Sequence, residues 1–249
     1  MPIRAQVRRL LRRSGVTVSR FPASDFDAEF VELFRSVRDY TMTSPERVFA
    51  LRDAARYVSR AQVPGAVVEC GVWRGGSMMA VARTLLDAGD STRDLHLFDT
   101  FSGMVEPGAE DRRGRDQRSA RDLLARADRG DPESVWCVAT VGEVRTSLSR
   151  VGYPMERIHL VEGKVEDTIP EHAPERIALL RLDTDWYEST RHELVHLFER
   201  ISPGGVLILD DYGYWQGARR AVDEYLAEHG HTLLLNRIDD TGRIALIPG

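Results

Sequence analysis

The chain has 249 residues, 42% hydrophobic and 29% charged, with a formal net charge of −5. That size and balance suit one large soluble domain, and the acidic charge argues against nucleic acid as a partner. Two cysteines, Cys70 and Cys137, exclude a disulfide framework, and no apolar run reaches membrane-spanning length.

The first thirteen residues are basic, and Ile3, Val7, Leu10 and Leu11 fall on one helix face among arginines. A helix packed on the main domain or in a homo-oligomer is expected, and with no export signal the location is expected to be cytoplasmic. Residues 1–39 read as a helical extension and 40–249 as the main domain. Within the extension, 25–37 reads as an amphipathic helix. Ser44-Pro45 then caps a helix running to about Val58. The stretch 67–77 holds a short apolar run, then Gly71, Gly75, Gly76 and Ser77, then an apolar run from Met78 to Leu86. That is a strand, a glycine turn and a helix. The glycines let backbone N–H groups approach a ligand, and Ser77 suits a carboxylate at the helix N-terminus. The spacing is not G-x-G-x-x-G, so a pyrophosphate is not the natural ligand; a turn with no ligand stays open.

A second strand, 95–99, ends in Asp99, where an acid can accept hydrogen bonds from a ribose diol. Residues 106–130 are rich in Arg and Asp and read as a mobile loop or a helical lid over the site, or else as a disordered surface insertion, bounded at about 104–132. A helix from Val138 toward Val151 and a strand at 158–163 follow, and 168–170 opens a further helix or turn. Residues 178–183 form a buried strand ending in Asp183, 189–197 a helix, 205–211 a buried strand ending in Asp210 and Asp211, and 219–228 a helix. The last strands, 233–238 and 244–247, flank a hairpin turn at 239–242. The whole is a doubly wound α/β sheet with an antiparallel end.

Asp183, Asp185, Asp210 and Asp211 lie beyond the carboxyl ends of two strands. Four such acids repel one another unless a cation sits among them, and hard oxygen ligands suit Mg2+, or Mn2+ or Ca2+. Capping of the following helices is the alternative. Trp186, Tyr187, Tyr212, Tyr214 and Trp215 offer aromatic walls for a sugar or ring, or simple core packing.

Glu69 through Gly76, Phe98-Asp99-Thr100-Phe101, Leu182-Asp183-Thr184-Asp185-Trp186-Tyr187, Ser202-Pro203-Gly204-Gly205 and Asp210-Asp211-Tyr212 together resemble the TylF/MycF family of macrocin-type O-methyltransferases. The resemblance runs from about Tyr40 to the C-terminus. It implies a Rossmann-like class I methyltransferase fold that uses S-adenosylmethionine and Mg2+ on hydroxyls of natural products, often of their sugars. It further implies that Glu69, Gly71, Gly75 and Ser77 line the methionine end of the cofactor, with Thr41 and Met42 closing over it. Asp99, Thr100 and Phe101 would lie at the ribose, and Gly163, Val165 and Glu166 at the adenine. Asp183, Asp210 and Asp211 match the family's metal ligands. Asp183 also sits beside the cofactor, and Asp185 matches an acid near the acceptor, as base or metal neighbour. The acceptor is expected to be a small hydroxylated or glycosylated molecule. The competing readings are a nicotinamide-dependent oxidoreductase and a non-catalytic S-adenosylmethionine-binding protein.

Overall fold

A computed structural model describes residues 21–131 and 134–249. The basic helix expected at the extreme N-terminus lies outside the described residues. Helix α1 (Ala28–Val37) is capped by Asp27, whose carboxylate accepts from the Phe30 amide at 2.7 Å. Helix α2 (Pro45–Arg60) starts as expected, with the Ser44 side chain accepting from the Arg47 amide. Then come β1 (Ala66–Cys70), α3 (Gly76–Asp87), β2 (Leu95–Asp99), α4 (Ala120–Arg126), α5 (Val141–Ser149), β3 (Ile158–Glu162) and α6 (Val165–Thr168). The chain continues through β4 (Ile177–Leu182), α7 (Tyr187–Leu197), β5 (Ile201–Leu209), α8 (Gln216–Glu228), β6 (Asn236–Arg237) and β7 (Arg243–Leu246).

The seven strands form one sheet in the order β3-β2-β1-β4-β5-β7-β6, parallel except at β7 and β6. This is the doubly wound, Rossmann-like architecture expected. Both faces of a parallel sheet must be covered, so its central strands read as continuous apolar runs. One face packs against α1, α2, α3 and α5 through Phe30, Leu51, Met78 and Leu148; the other packs against α7 and α8 through Leu194, Leu197, Val222 and Tyr225. The strand order reverses between β1 and β4, and a crevice opens there beyond their carboxyl ends.

Residues 168–170 give the turn of the two alternatives, since the short α6 ends at Thr168 and a turn follows. The expected strand at 233–238 is shortened. Of 233–238 only Asn236–Arg237 pairs as a strand, although Leu233 and Leu235 pack onto the core and Leu234 stays 79% exposed, the alternation of a strand. The charged lid segment is docked. It carries α4 and pairs with the acid-bearing loop at Arg113 and Trp215. Asp111 is fully buried, and its carboxylate accepts from the amides of Gly108 at 2.7 Å and Tyr187, the first residue of α7, at 2.8 Å.

Candidate active site

The glycine turn after β1 is shaped by left-handed residues: Gly71 at φ 85°, Trp73 at 47° and Gly75 at 85°. A Cβ on Gly71 would lie 2.0 Å from the Asp183 carbonyl oxygen, so only glycine lets β1 and β4 meet at the crevice. Asp99 reaches back from β2 and clamps this turn. One carboxylate oxygen accepts from the amides of Val72 at 2.7 Å and Trp73 at 3.0 Å, and the other from Phe101 at 2.8 Å.

A cavity of about 420 Å³ fills the crevice, a volume suited to small molecules. Of the residues expected at a cofactor, Thr41, Met42, Gly71, Ser77, Asp99, Thr100, Gly163, Val165, Glu166 and Asp183 line it. Glu69, Gly75 and Phe101 do not. Glu69 is wholly buried beneath the floor, bonded to Arg181 at 2.7 Å, and burial raises its carboxyl to about 7. Gly75 faces the side chain of Val144 instead.

The acids divide into two groups. Asp183, Asp185 and Asp211 turn toward one another, with an oxygen from each within 4.8 Å of the others. Burial pushes all three carboxyls up, Asp185 to about 7; repulsion from Asp183 and Asp210 adds to it at Asp185, and repulsion from Asp185 and Asp210 at Asp211. Asp211 Oδ2 is buried without a hydrogen-bond partner. Asp185 sits at φ 69° and accepts from Trp215 Nε1 at 3.0 Å. Asp210 points the other way. It is 2% exposed and held by Arg181 at 2.7 Å and by Arg47. Of the expected metal ligands, Asp210 is bonded to two guanidinium groups here, while Asp185 joins Asp183 and Asp211 in the converging set. Arg181 also bonds Asp183 at 2.7 Å and the Thr43 hydroxyl at 2.9 Å.

Over the acids the wall turns apolar and aromatic, formed by Met104, Val105, Leu123, Trp186, Tyr214 and Trp215. The indoles of Trp186 and Trp215 meet edge to face at 4.9 Å, and Trp186 Nε1 donates to the Val105 carbonyl at 3.1 Å. Tyr187 and Tyr212 are not part of this wall; their hydroxyls bond Glu224 and Asp223 on α8. Sequence reasoning passed over Arg47, Arg181 and Cys137, all of which line the cavity. Arg181 did leave a signal, as the one charge inside the apolar run of β4.

The model of the family described as macrocin-O-methyltransferase (TylF) matches residues 27–244. A mycinamicin III 3''-O-methyltransferase of Micromonospora griseorubida is 34% identical over 223 residues, covering 87% of this chain and 84% of that protein. An 8-demethyl-8-(2,3-dimethoxy-alpha-L-rhamnosyl)-tetracenomycin-C 4'-O-methyltransferase of Streptomyces olivaceus is 34% identical over 203 residues, 82% of this chain and 74% of its own length. Among solved structures, the O-methyltransferase NovP superposes with a TM-score of 0.71 at 29% identity, covering 84% of this chain and 83% of that one.

Proposed function

The chain belongs to the TylF family of macrocin O-methyltransferases, and from that premise we propose that it moves the methyl group of S-adenosylmethionine to a sugar hydroxyl of a natural product, at a site holding a divalent cation. Asp183, Asp210 and Asp211 would hold the cation, and the orphaned Asp211 Oδ2 is the observation that carries the reading. A buried carboxylate oxygen with no donor is costly, and a hard cation satisfies it. The charge balance points the same way: the carboxyls of Glu69, Asp183, Asp185, Asp210, Asp211 and Asp239 outnumber the guanidiniums of Arg47 and Arg181. The sugar acceptor is inferred from relatives whose names specify a rhamnosyl group or a 3'' hydroxyl.

When bound, a divalent cation supplies Lewis acidity that lowers the pKa of an acceptor hydroxyl. The chain's own residues do the rest. The turn at Gly71 and the N-terminus of α3 at Ser77 receive the cofactor's amino-acid end. Asp99 holds Val72 and Trp73 in place beside the ribose. Asp185, steered by Trp215, would take the hydroxyl proton. Trp186, Tyr214 and Trp215 exclude water and align the sugar ring for in-line attack, where positioning is a large part of the rate.

Asp99→Ala is expected to weaken S-adenosylmethionine binding by about 1–3 kcal/mol, through the lost clamp and the lost ribose contact. Calorimetry on a folded variant showing an unchanged Kd would remove Asp99 from the site. The function itself is tested by a methyl-transfer screen against sugar-bearing natural products, before and after EDTA treatment. Transfer that stops with EDTA and returns with Mg2+ supports the reading; full activity of the EDTA-treated enzyme would leave Asp185 to act without a cation.

A further inference from the structure

We propose that Glu193 is a positioning residue for the reaction: through the Thr184 hydroxyl it holds the strained turn that presents Asp185 to the acceptor. The kinetic side of this rests on the reading of Asp185 as the base; the geometry of the turn does not depend on that reading.

The turn lies between β4 and α7. Asp185 stands at φ 69°, and the Trp186 amide donates to the Thr184 carbonyl at 2.8 Å. A bond from residue i+2 back to i around a left-handed residue is the rare, strained form of the γ-turn. A side chain other than glycine keeps such a backbone only where its surroundings over-determine it. Before the turn, the Asp183 amide is fixed on the Cys70 carbonyl at 2.9 Å. After it, the Ser189 hydroxyl in the first turn of α7 donates to the Trp186 carbonyl at 3.2 Å. Thr184 is the joint between these anchors. Its hydroxyl donates to Glu193 Oε1 at 2.9 Å. A β-branched side chain has few rotamers, so a bond at its hydroxyl fixes its backbone as well.

Glu193 comes from the second turn of α7 and is wholly buried. Its other oxygen, Oε2, has no hydrogen-bond partner. Burial raises the carboxyl well above its ordinary range, so the acid form is held. A buried carboxyl bonded at one oxygen only destabilises the fold relative to a packed apolar side chain. That destabilising group sits against the stretch of cavity wall formed by Asp183, Thr184 and Asp185. A residue kept for the fold alone would stabilise it; one kept for the geometry of a site need not.

The two roles differ in the sign of their effect on stability. Glu193→Leu removes the half-satisfied carboxyl, so its melting temperature should rise by a few degrees. Its turnover should fall roughly tenfold to a hundredfold, because the base is misplaced, with the S-adenosylmethionine Kd unchanged. Glu193→Gln keeps the acceptor and should restore turnover. Thr184→Val should lose as much as Glu193→Leu, and the double variant no more than either. Crystal structures of the Leu and Gln variants read the turn itself: Asp185 should leave the left-handed region in the first and keep it in the second. A Glu193→Leu protein that melts at a lower temperature, or that keeps either full turnover or the left-handed Asp185, overturns the proposal. So does a Glu193→Gln protein as impaired as the Leu variant, or additive losses in the double variant. If the wild-type protein methylates no sugar acceptor, the reaction proposed for the site fails, and the melting temperatures and the Asp185 backbone still decide the positioning role.

Discussion

Asp183→Ala is expected to lower turnover on the order of a thousandfold, about 4 kcal/mol of transition-state stabilisation. The residue ends β4 at the point where the strand order reverses, and it belongs to both the cofactor cavity and the converging acids. Its loss would remove a proposed cation ligand and also one partner of Arg181, which Glu69 and Asp210 still satisfy. The fold should therefore survive, and the defect should appear in kcat more than in KM for the cofactor. Steady-state kinetics with a turned-over acceptor check this. A variant within a few-fold of wild-type turnover would show that the acids only cap helices.

Arg181→Met should act on stability instead, costing about 3–5 kcal/mol, because it strands buried carboxylates without their cation. Arg181 is 2% exposed, and its partners Glu69 and Asp210 are 0% and 3% exposed at the side chain. The loss should grow with pH. Burial lifts the Glu69 carboxyl from its ordinary value of 4.5 to about 7, so between those values the folded protein holds a proton that the unfolded chain has released. That contribution to stability is complete below about pH 4.5 and is lost as pH rises through 7. Without the guanidinium the carboxyl rises further, so wild type and variant should diverge more at pH 8 than at pH 5. Urea unfolding at both values measures the gap; a constant gap would mean that Arg181 contributes packing alone.

The strand ends were legible because apolar runs of five or six residues stop at an acid, and that pattern is local. Ser44-Pro45 announced its helix for the same reason. The pairing of Glu69 with Arg181 was not legible, since it depends on the register that sets the two residues side by side on β1 and β4. The split of the acids into two groups was equally hidden. It is decided by Arg47, which comes from a helix far away in sequence. The charges of the 106–130 segment left its order open. Arg113 and Asp116 satisfy each other locally, and the segment then closes over Leu124, Trp136 and Trp215, with the Trp136 indole donating to the Leu124 carbonyl at 3.1 Å. A charge-rich segment orders when its charges pair within it and its few apolar residues share one side.

Asp111 carries a consequence for exchanging the charged segment between relatives. Its Oδ1 lies 1.9 Å from where a Cβ on Gly217 would stand, so the lid's buried acid and a glycine of α8 occupy one shared space. A lid transplanted from a relative therefore imports a demand on α8, and a side chain at residue 217 would evict the acid that seats the graft. Chimeras that exchange 104–137 alone should work only when the donor also has an acid at the Asp111 position and Gly217 is kept. Where the donor differs there, the exchange unit is the lid together with the first turn of α8.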